Sequence, residues 1–209
     1  IKGIELSEEE LYTILIEILN IDILNIDIDD NIIFEIKNSE PIREDDIYGG
    51  LKYNIVAKME NLRVNLSIDI ATGDVITPRE IEYDYKMIFE DRYLKIMTYN
   101  IETIIAEKFQ TVIARGILNS RMKDYYDLYY LIKNESFSKN DLVIAIQKTF
   151  EKRETNMNNI EKIVKEIKKS DFVKNLWVQY SEKHKYVQNI QFSDVINNIE
   201  ILIQLLNTQ

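Results

Sequence analysis

Apolar and polar positions follow two rhythms along this chain, and the rhythm changes near residue 100. Upstream, Val64, Leu66, Ile68 and Ile70 alternate with Asn65, Ser67 and Asp69. That period of two puts each set on its own face of a strand. Runs at 31–37, 51–59 and 93–97 carry strand character too. Downstream, Ile104, Ile105, Phe109, Val112 and Ile113, then Leu128, Leu131 and Ile132, recur at helical spacing. Asn100 is placed to cap the first of these helices. Ser138 and Asp141 can cap another through Phe150, and helical runs follow at 158–168, 171–183 and 193–206. One helix precedes the strands. Ser7-Glu8-Glu9-Glu10 reads as a capping box with acids at the positive helix end, and Leu11, Ile14, Leu15 and Ile18 keep its apolar spacing. Strands followed by helices predict an α+β fold, a mixed sheet core over 1–98 and a helical bundle over 99–209.

The connections carry fewer signals. Residues 38–46 are polar with Pro41, which predicts a loop. Gly49-Gly50 precedes a strand, whereas a phosphate cradle wants a helix N-terminus, so the pair reads as a bend. Asp27-Ile28-Asp29 imitates a metal-binding acidic pair. Asp30 follows it and no glycine-rich turn lies ahead, so a solvated connection is expected. Trp177 is in helical register with Phe172, Val173, Leu176 and Tyr180, and reads as core or groove lining. His184 is the sole histidine, lies among lysines, and is expected to be exposed and without catalytic work.

Composition narrows the chemistry. The 209 residues suffice for one large domain or two small ones with a buried core. With no cysteine, disulfides, thiolate catalysis and cysteine-based zinc sites are excluded, which fits a cytoplasmic protein. A single histidine disfavours a histidine-based triad or zinc hydrolase. Charges interrupt every apolar run, so neither a membrane partner nor a leader is expected. The first residue is Ile, as in a piece of a longer product. Net charge is -10, unevenly spread: residues 1–100 hold 22 acids and 10 bases, the remainder 14 and 16. The acidic first half argues against non-specific duplex binding and is compatible with divalent metal. The second half can offer local basic surface to RNA, although it has no basic stripe.

Charge is densest across 106–131. Lys108, Thr111 and Arg115 share a helix face, and Arg115-Gly116 ends that helix. Arg121, Lys123, Asp124 and Asp127 open the next. Asp124 and Asp127 share a face, and Lys123 reaches Asp127. The cluster is either a solvated helix pair, its lysine–aspartate pairing worth only ~0.5 kcal/mol or less, or a site. Asp69 is equally open by itself, since one aspartate on a solvated strand face is ordinary.

Ala106-Glu107-Lys108, and Arg121-x-Lys123-Asp124-x-x-Asp127-Leu128, resemble the AbiEii/AbiGii nucleotidyltransferase toxin family of the polymerase-β-like superfamily. Leu66-Ser67-Ile68-Asp69-Ile70-Ala71-Thr72-Gly73-Asp74 with Pro78 fits the same family. The resemblance covers 1–132 and weakens beyond. It implies transfer of a nucleotide from an NTP to an RNA acceptor, tRNA foremost, in phage defence with an antitoxin encoded nearby. It implies magnesium. Lys108 would grip the phosphates, Asp124 would be the acid of the C-terminal motif, and Arg121, Lys123 and Asp127 would orient the acids or touch phosphate. Asp69 would be a metal neighbour or a substrate-activating carboxylate. In the family, a Gly-Gly or Gly-Ser turn and an Asp-x-Asp strand bind the first metal and the triphosphate. By the resemblance both fall ahead of Ile1. The chain is therefore expected to be the later part of a family member, with little activity by itself. The alternative is a degenerate or truncated module of the same fold that binds without turnover.

Overall fold

The computed structural model describes residues 7–20, 31–42, 50–71 and 75–208. They form an α+β fold of seven α-helices and two antiparallel sheets. The chain divides into two compact units, Ile1–Asp74 and Val75–Gln209.

In the first unit, α1 (Glu8–Leu19) begins at the expected capping box. The Glu10 N–H donates to Ser7 Oγ at 3.2 Å, and the Ser7 N–H donates to the Glu10 carboxylate at 2.8 Å. The sheet runs in the order β1 (Ile33–Pro41), β2 (Gly50–Met59), β3 (Leu62–Ala71). Leu11 and Leu15 of α1 pack with Tyr53 and Ile55 of the central strand. Ile14 and Ile18 are exposed instead, because α1 meets the sheet along one narrow line.

β1 corrects the expected loop. It continues through Asn38 to Pro41, with a bulge between Ile36 and Asn38. A proline is tolerated there because β1 pairs on only one side among the described residues. Gly50 opens β2 as a bend should. The Ile42 N–H donates to its carbonyl at 2.8 Å, and an added Cβ would meet Ile42 Cδ1 at 2.7 Å. Gly49, the rest of that loop, Asp27-Ile28-Asp29 and Thr72-Gly73-Asp74 lie outside the described residues. The register sets Asp69 opposite Lys52, and Lys52 opposite Glu40. Opposite residues share a face, so Asp69 stands on the sheet face away from Tyr53 and Ile55.

The second unit opens with a hairpin, β4 (Ile81–Lys86) and β5 (Tyr93–Thr98). β4 was not anticipated, although Ile81, Tyr83 and Tyr85 alternate with Glu82, Asp84 and Lys86. Six helices follow: α2 (Ile101–Arg115), α3 (Met122–Asn134), α4 (Lys139–Lys152), α5 (Ile160–Lys169), α6 (Asp171–Lys183) and α7 (Phe192–Asn207). Strand gives way to helix at 98–101, as the pattern predicts, yet the compact unit starts earlier. Hydrogen bonds explain why. Asn100 caps α2 by accepting from the Thr103 N–H at 2.8 Å. Its Nδ2 donates to the carbonyls of Thr77 at 2.8 Å and Arg79 at 2.7 Å. The Thr77 N–H donates to Thr103 Oγ1 at 3.0 Å. The chain entering the hairpin is thus tied to the start of α2.

The helices enclose one core that includes Phe109, Tyr125, Leu128, Ile146, Phe150, Trp177 and Ile196. α2 packs between α3 and α4, and α3 against α7. Trp177 is core, its indole N–H donating to the Ile190 carbonyl at 3.0 Å. Among the described residues, no helix is long and apolar enough to cross a membrane.

Candidate functional site

The charged cluster is built by a helix–turn–helix. α2 ends at Gly116, whose φ of 53° and ψ of -133° lie where glycine is favoured. A 3-10 turn, Gly116–Leu118, reverses the chain. Fully buried Asn119 then accepts the Arg121 N–H at 3.0 Å through Oδ1, fixing the start of α3. Sequence reasoning missed Asn119. Its signal was an asparagine two residues ahead of a helix start, a position where this side chain commonly bonds the backbone.

This geometry brings together five of the six residues singled out from the sequence. Lys108 Nζ of α2 lies 3.3 Å from Asp124 Oδ1 and 2.6 Å from Asp127 Oδ2 on α3. Lys123 Nζ lies 2.8 Å from Asp127 Oδ2 and donates to Oδ1 at 3.1 Å. Arg121 Nε lies 3.1 Å from Asp124 Oδ2. The side chain of Asp124 is 7% exposed and that of Lys108 24%, against 70% for Lys123. The solvated-pair reading therefore holds for Lys123. It fails for the Lys108–Asp124 contact, since a carboxylate is not buried without partners at low cost. Asp124 also lies in the first turn of α3, where the helix dipole favours an anion. Behind it Tyr125 is buried in the core, and burial foremost, with the Asp124 charge adding to it, pushes its phenol up.

The sixth residue, Asp69, belongs to the first unit. Its carboxylate is about half exposed and lies 4.0 Å from Lys52 Nζ.

The donor chemistry of the cluster does not fit a divalent cation. Three of the four carboxylate oxygens of Asp124 and Asp127 accept a hydrogen bond from a lysine, and the fourth, buried Asp124 Oδ2, lies 3.1 Å from Arg121 Nε without a hydrogen bond. No group of three or more His, Asp or Glu side chains able to hold a metal occurs among the described residues. Three cations against two carboxylates leave a surplus positive charge, which suits an anion.

The chain belongs to the AbiEii nucleotidyltransferase toxin family: residues 7–198 match the family described as the nucleotidyl transferase AbiEii toxin of type IV toxin–antitoxin systems. The match extends well beyond 132, across most of the helical unit. Two solved structures from Helicobacter pylori are similar. A candidate nucleotidyltransferase is 12% identical with a TM-score of 0.37, over 84% of this chain and 67% of its own. JHP933 is 13% identical with a TM-score of 0.37, over 84% of this chain and 65% of its own. The chain thus spans about two thirds of the length of either structure. No curated protein matches it.

Proposed function

We propose that Lys108 binds the triphosphate of an NTP and that the protein transfers a nucleotide from it to an RNA acceptor, tRNA foremost, as the toxin of a type IV pair held in check by a cognate antitoxin. The observation that carries this is the Lys108 ammonium, held by Asp124 and Asp127, with about a quarter of its side chain open to solvent. Acids that fix a lysine's direction cost it little reorganisation when phosphate arrives. The compact ammonium suits phosphate oxygens, and Arg121, about half exposed, adds a second cation. In transfer, an acceptor hydroxyl oxygen bonds to the α-phosphorus, the bond to pyrophosphate breaks, and the hydroxyl proton passes to a base. The part proposed for Lys108 is to offset the charge gathering on the leaving phosphates. For Asp69 the family resemblance implies a metal neighbour or a carboxylate that activates substrate, and either role is proposed here. Asp69→Asn is then expected to lower transfer and leave NTP affinity unchanged.

A second reading has its own support. The acids of the cluster are all engaged by cations, as in a module that binds the triphosphate without turning it over. Incubation with radiolabelled NTPs and bulk RNA, beside Lys108→Ala, separates the two. Label entering RNA in a Lys108-dependent way supports transfer. Lys108-dependent NTP binding without incorporation supports the binding module. Incorporation that survives Lys108→Ala removes this lysine from the site.

A further inference from the structure

A patch of aromatic rings adjoins the Asp127 side of the cluster, and the chemistry above leaves it unused. Tyr126, the residue before Asp127, packs against Tyr186 with centroids 4.8 Å apart and ring planes tilted by 57°, and near Tyr130 at 6.1 Å. Tyr180 and Tyr186 share a hydrogen bond between hydroxyls at 2.7 Å. His184 packs 4.5 Å from the Tyr180 ring and 5.4 Å from that of Tyr186, so it is half-buried among rings rather than exposed. Trp177, 5.8 Å from Tyr180, roots the patch in the core. Tyr130 and Tyr186, both next to Tyr126, are 44% and 53% exposed. Exposed Lys123, Lys183 and Lys185 neighbour these residues in sequence, against the acids Asp127, which is paired with Lys123, and Glu182.

We propose that Tyr126, Tyr130 and Tyr186 form a stacking surface for unpaired bases of a single-stranded RNA segment, the acceptor strand of the transfer reaction; the identity of that strand rests on the function proposed above. Ring faces accept any base, and flanking lysines meet the repeating phosphates, which is how single strands are held without sequence readout. A duplex hides its base faces. Two exposed rings about a central one offer more stacking area than the one base of a mononucleotide can cover. Burial foremost, then Tyr130, Tyr186 and Asp127, push the Tyr126 phenol up. Burial, the Tyr186 hydroxyl and Asp127 do the same for Tyr180. These phenols therefore stay neutral beside a phosphate chain.

The test is fluorescence anisotropy of a short labelled single-stranded RNA of mixed sequence, with the same RNA as a duplex and an NTP titration in parallel. The full chain is expected to prefer the single strand. Tyr186→Ala and Tyr130→Ala should each weaken that binding about fivefold or more. Tyr186→Phe, which keeps the ring and loses the hydroxyl bond to Tyr180, should bind like the unsubstituted chain. NTP affinity should not change in any of the three. Equal strand affinity in the alanine variants overturns the proposal, and so does a Tyr186→Phe loss as large as that of alanine. A loss confined to NTP also overturns it, placing the base of the donor nucleotide on the rings. Lys108→Ala distinguishes the two proposals, because it should weaken NTP binding about tenfold or more while the strand still binds through the tyrosines. Tyrosine-dependent strand binding by a chain with no NTP affinity sinks the transfer reading and leaves the stacking surface standing.

Discussion

At the scale of single residues, Asp124 is the most deeply buried member of the charged cluster. Its carboxylate is buried, and its Oδ1 is hydrogen-bonded by Lys108. Removing that lysine strands a buried acceptor, so Lys108→Ala is expected to lower stability by about 1–3 kcal/mol, read as a lower urea midpoint. Lys123 pairs with the same cluster from the solvent side, and Lys123→Ala should stay within about 0.5 kcal/mol. Equal effects would return the whole cluster to the solvated reading. Spacing alone disclosed the Lys123–Asp127 pair, since residues four apart meet on any helix. It also disclosed the face of Asp69, through strand alternation. It could not disclose the contact between Lys108 and Asp124, which depends on how two helices are turned toward one another. Nor could it disclose the rings around His184, because α3 and the segment after α6 meet only in the folded unit.

Elements were legible where their signals are local. The capping box of α1, the Asn100 cap of α2 and the Ser138 cap of α4 each act within a few residues, and each stands in the structure. The strand ends were less legible. Pro41 suggested a break, yet an edge strand with a bulge absorbs it. The turn between α2 and α3 is the element that carries the chain from Lys108 to Asp124 and Asp127. An added Cβ at Gly116 would meet Ile163 Cγ2 at an ordinary 3.7 Å, so the cost of a side chain there comes from the positive φ rather than from crowding. Gly116→Ala should destabilise by about 1–3 kcal/mol and weaken NTP binding as α3 shifts against Lys108. A variant with unchanged melting temperature and unchanged NTP affinity would show that the turn does not set the geometry of the site.

The whole molecule consists of two compact units, and the cluster, the ring patch and the large helical core all belong to the second. Residues 75–209, expressed by themselves, are therefore expected to unfold cooperatively in urea and to keep Lys108-dependent NTP affinity; a broad, non-cooperative transition would show that this unit needs the first. The α+β class was legible because the change of hydrophobic period is a property of the whole pattern. The start of the second unit was not, because it is set by Asn100 and Thr103 holding a segment more than twenty residues upstream. The chain belongs to the AbiEii nucleotidyltransferase toxin family, and the function proposed above assigns its phosphate contact to Lys108. The most direct measurement is the dissociation constant of an NTP, by calorimetric titration of the full chain and of Lys108→Ala at a temperature where circular dichroism shows both folded. The expected result is binding by the full chain, weakened about tenfold or more in the variant. The same constant for both proteins, or no binding by either, would contradict it.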